Sequence, residues 1–425
     1  MPSQRPSERW TSYEDWDYGT MKQRLESLMA SLDKAALVDH VEAVLGSSVS
    51  MSEPFSAGQY WCCFECFALD GRLVIARVRL PRHPDSKASD HDEAYIMQCE
   101  AATMAFLRHS VTAIPFPTMY AYEAPGSARA AKAGAPYMLI EGFYGNLLQD
   151  VDHSLETQDR ILGQWTLFQA QLATFTFPQI GSISHFSEDS GPVIGPVAAA
   201  ASDGLPNFGP FSSAKEYLSA VAKARLDRAI NNNKDTTHLT RLGLFTFHDI
   251  VRSTDIFNHD GPFPLNHMDM GIQNLLVNDT LTIIAVIDWE MAQSAPWAVF
   301  YYPMPFPLLM ADERIAEILA DATHGAHRNT VKQHKTRDMY RAKFAGAEKA
   351  LAEGGRPLLG SIAAVLAQES SRIYGIAEKI GVFDGMEEML TRELVRLGYG
   401  LEGEAADRKL EELEYGKRGV QDITM

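Results

Sequence analysis

Leu265-Asn266-His267-Met268-Asp269-Met270-Gly271-Ile272-Gln273-Asn274-Leu275-Leu276-Val277 is the stretch on which the reading of this chain turns. Its core is the pattern H-x-D-x-x-x-x-N, which runs straight into an apolar strand. The turn Asn278-Asp279 follows, and a second apolar run ends in Ile287-Asp288-Trp289-Glu290. One loop therefore carries an Asp and an Asn, and a short hairpin delivers a second Asp. Phosphoryl transfer needs such a set: one carboxylate to orient the attacking hydroxyl, an amide and another carboxylate to hold Mg²⁺. Oxygen ligands suit a hard cation that keeps some of its waters. The competing reading is a polar turn with His267 and Asp269 as caps. The flanking strands and the downstream Asp weigh against it.

The segment resembles the catalytic and metal-binding loops of the aminoglycoside phosphotransferase family, within the protein-kinase-like superfamily. Asp-Trp-Glu at the second acidic site looks like the branch of that family abundant in filamentous fungi. The resemblance implies that Asp269 is the catalytic carboxylate, that Asn274 and Asp288 are the magnesium ligands, and that His267 braces the loop backbone. It covers roughly Gly58 to Pro303, with clear motifs in Leu265 to Glu290. It implies an α+β, bilobal protein-kinase-like fold: a small antiparallel-sheet lobe with one helix, a larger mainly helical lobe, and ATP between them.

Composition narrows the class. The chain has 425 residues, 46% hydrophobic and 22% charged, ordinary values for a soluble globular protein. A net charge of −17 argues against general nucleic-acid binding, which needs basic surface to displace counterions. It is compatible with a cationic substrate. Met1 to Gly19 is polar and lacks the apolar core of a secretory signal, and no run reaches the length of a transmembrane helix. The four cysteines are Cys62, Cys63, Cys66 and Cys99, and no second C-x-x-C completes a zinc site. Buried reduced thiols in a cytoplasmic protein are the expectation.

The N-terminal part divides in order. Residues 1–48 read as a loose arm to about 22, bearing Trp10, Tyr13, Trp16 and Tyr18, then helices over Met21 to Leu32 and Lys34 to Leu45, with Gly46 as a stop. Residues 49–143 read as a sheet. Val49 to Phe55 forms a strand, and Cys62 to Leu69 and Arg72 to Leu80 are joined by Asp70-Gly71, a strong hairpin signal. The intervening turn holds Gly58, which the resemblance places over the nucleotide phosphates. Strand Leu73 to Val78 sits where kinases carry V-A-I-K, with Arg77 in place of the lysine. Arg is planar and bidentate where Lys is a point charge, so the phosphate clamp departs from the family pattern. Asp90 to Arg108 reads as a helix with Ile96, Cys99, Thr103 and Phe106 on one face. By resemblance Glu100 pairs with Arg77. Met119 to Tyr122 and Pro136 to Glu141 are strands, and Glu123 to Ala135 reads as a loop. Gly142 to Gly145 makes a hinge, where the resemblance puts the adenine against the Glu141 and Phe143 backbone.

Residues 144–425 read as the helical part with the catalytic and metal loops. Ile161, Trp165, Phe168 and Leu172 mark a buried helix face. Ser184 to Phe211 reads as a lid or a disordered loop. Ser213-Ala214-Lys215-Glu216 opens a helix to about Ile230, and another covers His238 to Ile256. Glu290, Pro296-Trp297 and Phe300 to Pro303 either line an amine-binding acceptor pocket or, for most of them, pack the core. Leu308 to Thr323, Arg328 to Glu353, Pro357 to Ile380, Met386 to Leu397 and the tail from Glu402 read as helical.

The implied activity is ATP- and Mg²⁺-dependent phosphorylation of a small-molecule hydroxyl. Arg77 and the poor glycine loop also allow a nucleotide-binding pseudokinase that acts as a scaffold. A protein kinase fits less well, because no Asp-Phe-Gly to Ala-Pro-Glu activation segment follows Asp288. The acceptor and the oligomeric state are not written in the sequence.

Overall fold

The computed structural model describes residues 5–9, 21–111, 113–152, 154–203, 205, 208–231, 236–301, 304–306, 310–382 and 385–421. Most of the expected N-terminal arm, including Trp10, Tyr13, Trp16 and Tyr18, lies outside the described residues, as do Tyr302, Pro303 and Leu308. Contacts divide the chain into two compact units. The first is Met1–Asp152, Gly181–Pro210 and Asp269–Gln293; the second is His153–Ile180, Phe211–Met268 and Ser294–Met425. Both segments that return to the first unit come from the part read as helical.

In the first unit, α1 (Pro6–Arg9), α2 (Met21–Ser31) and α3 (Lys34–Leu45) precede β1 (Val49–Ala57), β2 (Trp61–Ala68) and β3 (Leu73–Arg79). Helix α4 (Asp90–Ser110), β4 (Met119–Glu123), α5 (Ala128–Ala133) and β5 (Tyr137–Glu141) follow. The five strands form one antiparallel sheet in the order β1-β2-β3-β5-β4. The Asp70-Gly71 turn closes the β2–β3 hairpin, with Gly71 at φ 88, where a side chain would be strained. β1 is an edge strand, and Pro54 sits between two register shifts, where its missing N–H costs no ladder bond.

Alternation along these strands separates two faces. Cys62, Phe64, Cys66, Ala68, Val74, Ala76, Val78, Tyr137 and Leu139 form one core with Leu25, Leu28, Leu37 and Val41 of α2 and α3. The N-terminal helices are therefore part of the sheet's own core. On the other face Trp61, Met138 and Ile140 pack with Met97 of α4. With apolar matter on both sides, β2 and β3 read as near-continuous apolar runs.

Two segments read as loops are structured. Glu123 to Ala135 contains α5, whose Ser127 hydroxyl accepts from the Ala130 N–H while Gly134 ends the helix in the left-handed region. The alanines win because both caps are in place. Ser184 to Phe211 contributes an antiparallel hairpin, Ser182–Ser187 with Gly191–Gly195, and the short helix Ala198–Ser202. This insert packs on α4: the Tyr95 hydroxyl donates to Pro196 O at 2.8 Å, Gln98 Nε2 to Ser184 O at 2.7 Å, and Phe106 meets Phe186 edge-on at 5.6 Å. Ile96 and Cys99 share a cluster with Ala198 and Ala201. The register is irregular, and the apolar residues are too few and too small to show a period.

The second unit is built on Leu155–Ala173 against the long helix His327–Glu353. Trp165 lies edge-on to Tyr340 and Phe344 at 5.5 and 5.7 Å, and Thr336 donates to Gln158 at 3.1 Å. Ala214–Asn231 packs on His238–Ser253, which also carries Glu387–Tyr399. The single helix expected over Pro357 to Ile380 is two, Ile362–Val365 and Glu369–Ala377. Strand Phe263–Asn266 pairs antiparallel with Thr176–Phe177 and leads into the loop that carries His267. The four cysteines are free, three of them buried. Among the described residues no helix is long and apolar enough to cross a membrane.

The insert hairpin leaves no room at Gly181. A Cβ there would lie 2.1 Å from the Gly195 carbonyl oxygen, a backbone atom. Gly181→Ala is expected to cost about 1–3 kcal/mol through forced separation of the strands, read as a lowered chemical-denaturation midpoint. An unchanged midpoint would mean the hairpin is not held in this register.

Candidate active site

The β2–β3 register places the site's cation. Trp61 faces Arg79 and Cys63 faces Arg77 across the hairpin, all on the sheet face that meets α4. Arg77 is almost fully buried. Its Nη1 donates to Glu100 Oε1 of α4 at 2.6 Å and its Nη2 to Asp288 Oδ1 at 2.9 Å. Its guanidinium lies over the Trp61 ring at 4.6 Å. Burial works against the charge, but Glu100, Asp288 and Glu290 together hold Arg77 firmly protonated. The pairing expected of Glu100 is thus present.

Arg79 continues the arrangement two residues on. It stacks on Tyr60 at 4.8 Å and Trp61 at 4.9 Å, and pairs with Glu93 at 3.6 Å and Glu290 at 3.4 Å. The Trp61 Nε1–H donates to Glu290 Oε2 at 3.0 Å. Glu290 is buried in this network, so its alternative place in an acceptor pocket is corrected: it accepts from the sheet instead. Trp289 is buried too, donating to Val286 O at 2.9 Å and meeting Phe116 edge-on. In the second unit Trp297 and Phe300 are core residues.

The loop and hairpin deliver the remaining groups. Strand Leu275–Val277 pairs with Ile283–Val286 on one side and Asn146–Leu147 on the other. The Ile287 N–H donates to Asn274 O at 3.0 Å, so the Asn and the second Asp leave the hairpin side by side. Asn274 Nδ2 donates to both Asp269 O at 2.8 Å and Asp269 Oδ2 at 2.9 Å, and Gln273 Nε2 donates to Asp269 Oδ1 at 2.9 Å. Two donor contacts fix the amide's orientation and leave Asn274 Oδ1 as its open acceptor. Met268 and Asp288 both take left-handed backbone, each at φ 65, which bulky and acidic side chains adopt at a cost. His267 is fully buried just after its strand.

The expected nucleotide contacts are placed as follows. Gly58 lies in the exposed β1–β2 turn, and its N–H donates to Trp61 O at 2.8 Å. Arg24 of α2 grips this turn through Gln59 O at 2.9 Å. The Glu141 carboxylate accepts from Thr118 N at 3.0 Å and Thr118 Oγ1 at 2.6 Å, so it serves the end of β4. Phe143 follows, in the segment expected to be a hinge, which lies inside the first unit. Gly145 is required there, since a Cβ would sit 2.9 Å from Val277 O and 2.6 Å from Ile284 Cδ1.

Charge is unbalanced at this site. Arg77 and Arg79 pair with Glu93, Glu100, Asp288 and Glu290, and Asp269 lies within electrostatic reach of Asp288. Burial first, then Asp288, pushes Asp269 up to about 7 against the pull of Asn274 and Gln273. Burial and then Asp288 push Glu290 up to about 7 as well. Burial also raises Glu100, with Arg77 opposing. Burial pushes the neighbouring Cys63 thiol up to about 11 although Arg77 pulls it down. Such crowding is relieved by a cation. Asn274 Oδ1 and the Asp288 oxygen not bound to Arg77 are both oxygen donors, the chemistry Mg²⁺ prefers, and two protein ligands suffice for an ion that keeps waters. Among the described residues no cluster of three His, Cys, Asp or Glu forms a closed metal site.

Gln273, Trp61, Arg79 and Glu93 escaped the sequence reading. Gln273 lies four residues beyond Asp269, and the Asp70-Gly71 turn already fixes Trp61 opposite Arg79; those were the available signals.

No family model matches the chain, and no curated protein matches its sequence. Among solved structures it is similar to a candidate aminoglycoside phosphotransferase from Ralstonia eutropha JMP134, with TM-score 0.47, 15% identity, and 89% of this chain and 99% of that one covered. It is similar to a candidate fructosamine-3-kinase from Thermobifida fusca, with TM-score 0.47, 15% identity, and coverage of 86% and 99%. A thermostable mutant of the aminoglycoside phosphotransferase APH(4)-Ia gives TM-score 0.45, 16% identity, and coverage of 86% and 100%.

The raised Asp269 has a consequence for stability. From the ordinary carboxylate range up to about 7 the unfolded chain has released this proton and the folded chain keeps it, so stability falls as pH rises through that window. Asp269→Asn removes the penalty, and the Gln273 amide can turn to serve the new side chain. Without nucleotide or Mg²⁺, the variant is expected to melt a few degrees above wild type at about pH 8 and level with it at about pH 4. A gap independent of pH would remove Asp269 as the titrating group.

Proposed function

We propose that this protein transfers the γ-phosphoryl group of ATP to a hydroxyl of a small molecule, as an enzyme of the aminoglycoside phosphotransferase type and its fungal branch. Residues 49–143 would form the nucleotide-binding lobe and 144–425 the helical lobe. One observation carries the reading: Asp269, held by Asn274 and Gln273, and Asp288, held by Arg77, stand at the two ends of one hairpin, whose ends the Ile287 N–H bond to Asn274 O joins.

In this reading Asp269 accepts a hydrogen bond from the acceptor hydroxyl, aligns its oxygen with the γ-phosphorus, and takes its proton late. Gln273 and Asn274 hold one carboxylate oxygen each, so the base enters the reaction already oriented. His267 braces the loop. Asn274 and Asp288 would hold Mg²⁺, which when bound neutralises charge on the phosphates. Arg77, fixed by Glu100, would neutralise charge on the α- and β-phosphates. The Gly58 turn would cover the phosphates, and the Glu141–Phe143 backbone would meet the adenine. The acceptor is a small alcohol, and the charge of −17 suits a cationic one. Unpaired thiols fit the reducing cytoplasm.

The test is ADP release across a library of amino sugars, amino alcohols and aminoglycosides, followed by single-turnover kinetics on the best acceptor. Asp269→Ala is expected to slow the chemical step by roughly 10²–10⁴-fold, with ATP affinity retained. Equal rates for variant and wild type would remove the mechanism. Tight Mg·ATP binding with no turnover on any acceptor would favour the scaffold role.

A further inference from the structure

Arg77 is more tightly specified than a lysine at that position could be. Its two terminal nitrogens go to different carboxylates, Glu100 and Asp288, and its flat face lies on an indole. An ammonium has neither the fork nor the face. The indole is shared: Arg79 stacks on the same ring, and the ring N–H is spent on Glu290, two residues after Asp288. Trp61 itself is buried and packs on Met97 of α4, three residues before Glu100.

We propose that Trp61 is a positioning residue for nucleotide binding: one indole holds the Arg77 guanidinium, the start of α4 through Arg79 and Glu93, and the turn behind Asp288 as a single body. The inference rests on the phosphotransfer reading, because it gives Arg77 the α/β-phosphates as its target. Its content is separate. The cation of this clamp is an arginine because it is built on a tryptophan, and the two residues act as a pair. Trp61 touches no reacting atom; it sets where the Arg77 N–H groups point.

A double-mutant cycle tests the pair. Mg·ATP dissociation constants are measured by titration calorimetry for wild type, Trp61→Leu, Arg77→Lys and the double variant, with steady-state KM and kcat alongside. Trp61→Leu is expected to weaken Mg·ATP about tenfold, appearing in KM while kcat at saturation changes less than about twofold. Trp61→Phe, which keeps a ring face, is expected to recover about half of the loss on a logarithmic scale. In the Arg77→Lys background Trp61→Leu is expected to change affinity less than about twofold. Equal factors in both backgrounds, or a loss confined to kcat, would overturn the pairing while leaving the phosphotransfer reading intact. Absence of Mg·ATP binding by wild type would remove that reading and this one with it. If Trp61→Leu does not fold, Trp61→Phe in the two backgrounds carries the cycle, with an expected factor of about three against none.

Discussion

A guanidinium buried between two carboxylates is the constraint that the first unit is organised to satisfy. Taking a charge out of water costs several kcal/mol, and the cost is recovered only with good geometry and further hydrogen bonds. Arg77 has short contacts to Glu100 and Asp288, an aromatic face beneath it, and neighbours that keep it protonated. Each partner needs its own support. Glu100 belongs to α4, which the 181–210 insert grips through Tyr95 and Gln98. Asp288 follows a hairpin strand, and its position in left-handed backbone is stabilised where Trp289 anchors to Val286. On the reverse of the sheet, α2 and α3 keep water from the strand that carries the arginine. Buried ion pairs of this kind contribute little net stability, but removing one partner strands the other, at roughly 3–5 kcal/mol.

The same neighbourhood is strained, and the strain points one way. Five carboxylates share the neighbourhood with two guanidinium groups, and burial, with the Asp288 charge second, pushes Asp269 and Glu290 up to about 7. Met268 and Asp288 adopt backbone that most side chains avoid. Each feature lowers stability. The burden is concentrated on the loop and hairpin, while the sheet core and the Trp165–Tyr340–Phe344 packing in the second unit carry none of it. Acids crowded and shifted in this way are a common mark of functional sites.

Where the sequence was legible, a periodic or punctuating signal was at work. Asp70-Gly71 fixed the β2–β3 hairpin, and Gly46 ended α3 as expected. Asn274 and Asp288 flank an antiparallel pair of short strands that brings the two ends together, and Asn274 reaches back to Asp269. The pairing of Glu100 with Arg77 came from resemblance, as nothing in α4 distinguishes one buried Glu from another. What stayed hidden had weak local signals. The Ala-rich α5 depends on its two caps, and the 182–195 hairpin depends on α4, which is remote in sequence. Glu290 was ambiguous for a different reason: a carboxylate beside tryptophans reads equally as a cation trap or as an acceptor of an indole N–H, and only the β2 register decides between them.

That register changes how the departure from the kinase pattern reads. Taken alone, an arginine in the lysine position weakens the case for a phosphate clamp. Set opposite Cys63, one step from the Trp61–Arg79 pair, it has a fork matched to two carboxylates and a ring matched to its plane. Glu290 then has a role as well, since an indole bearing two cations leaves its N–H to be satisfied, and a carboxylate in the turn after Asp288 does so. Arginine, tryptophan and the final glutamate of Asp-Trp-Glu are thus parts of one solution to holding a cation in a dry site.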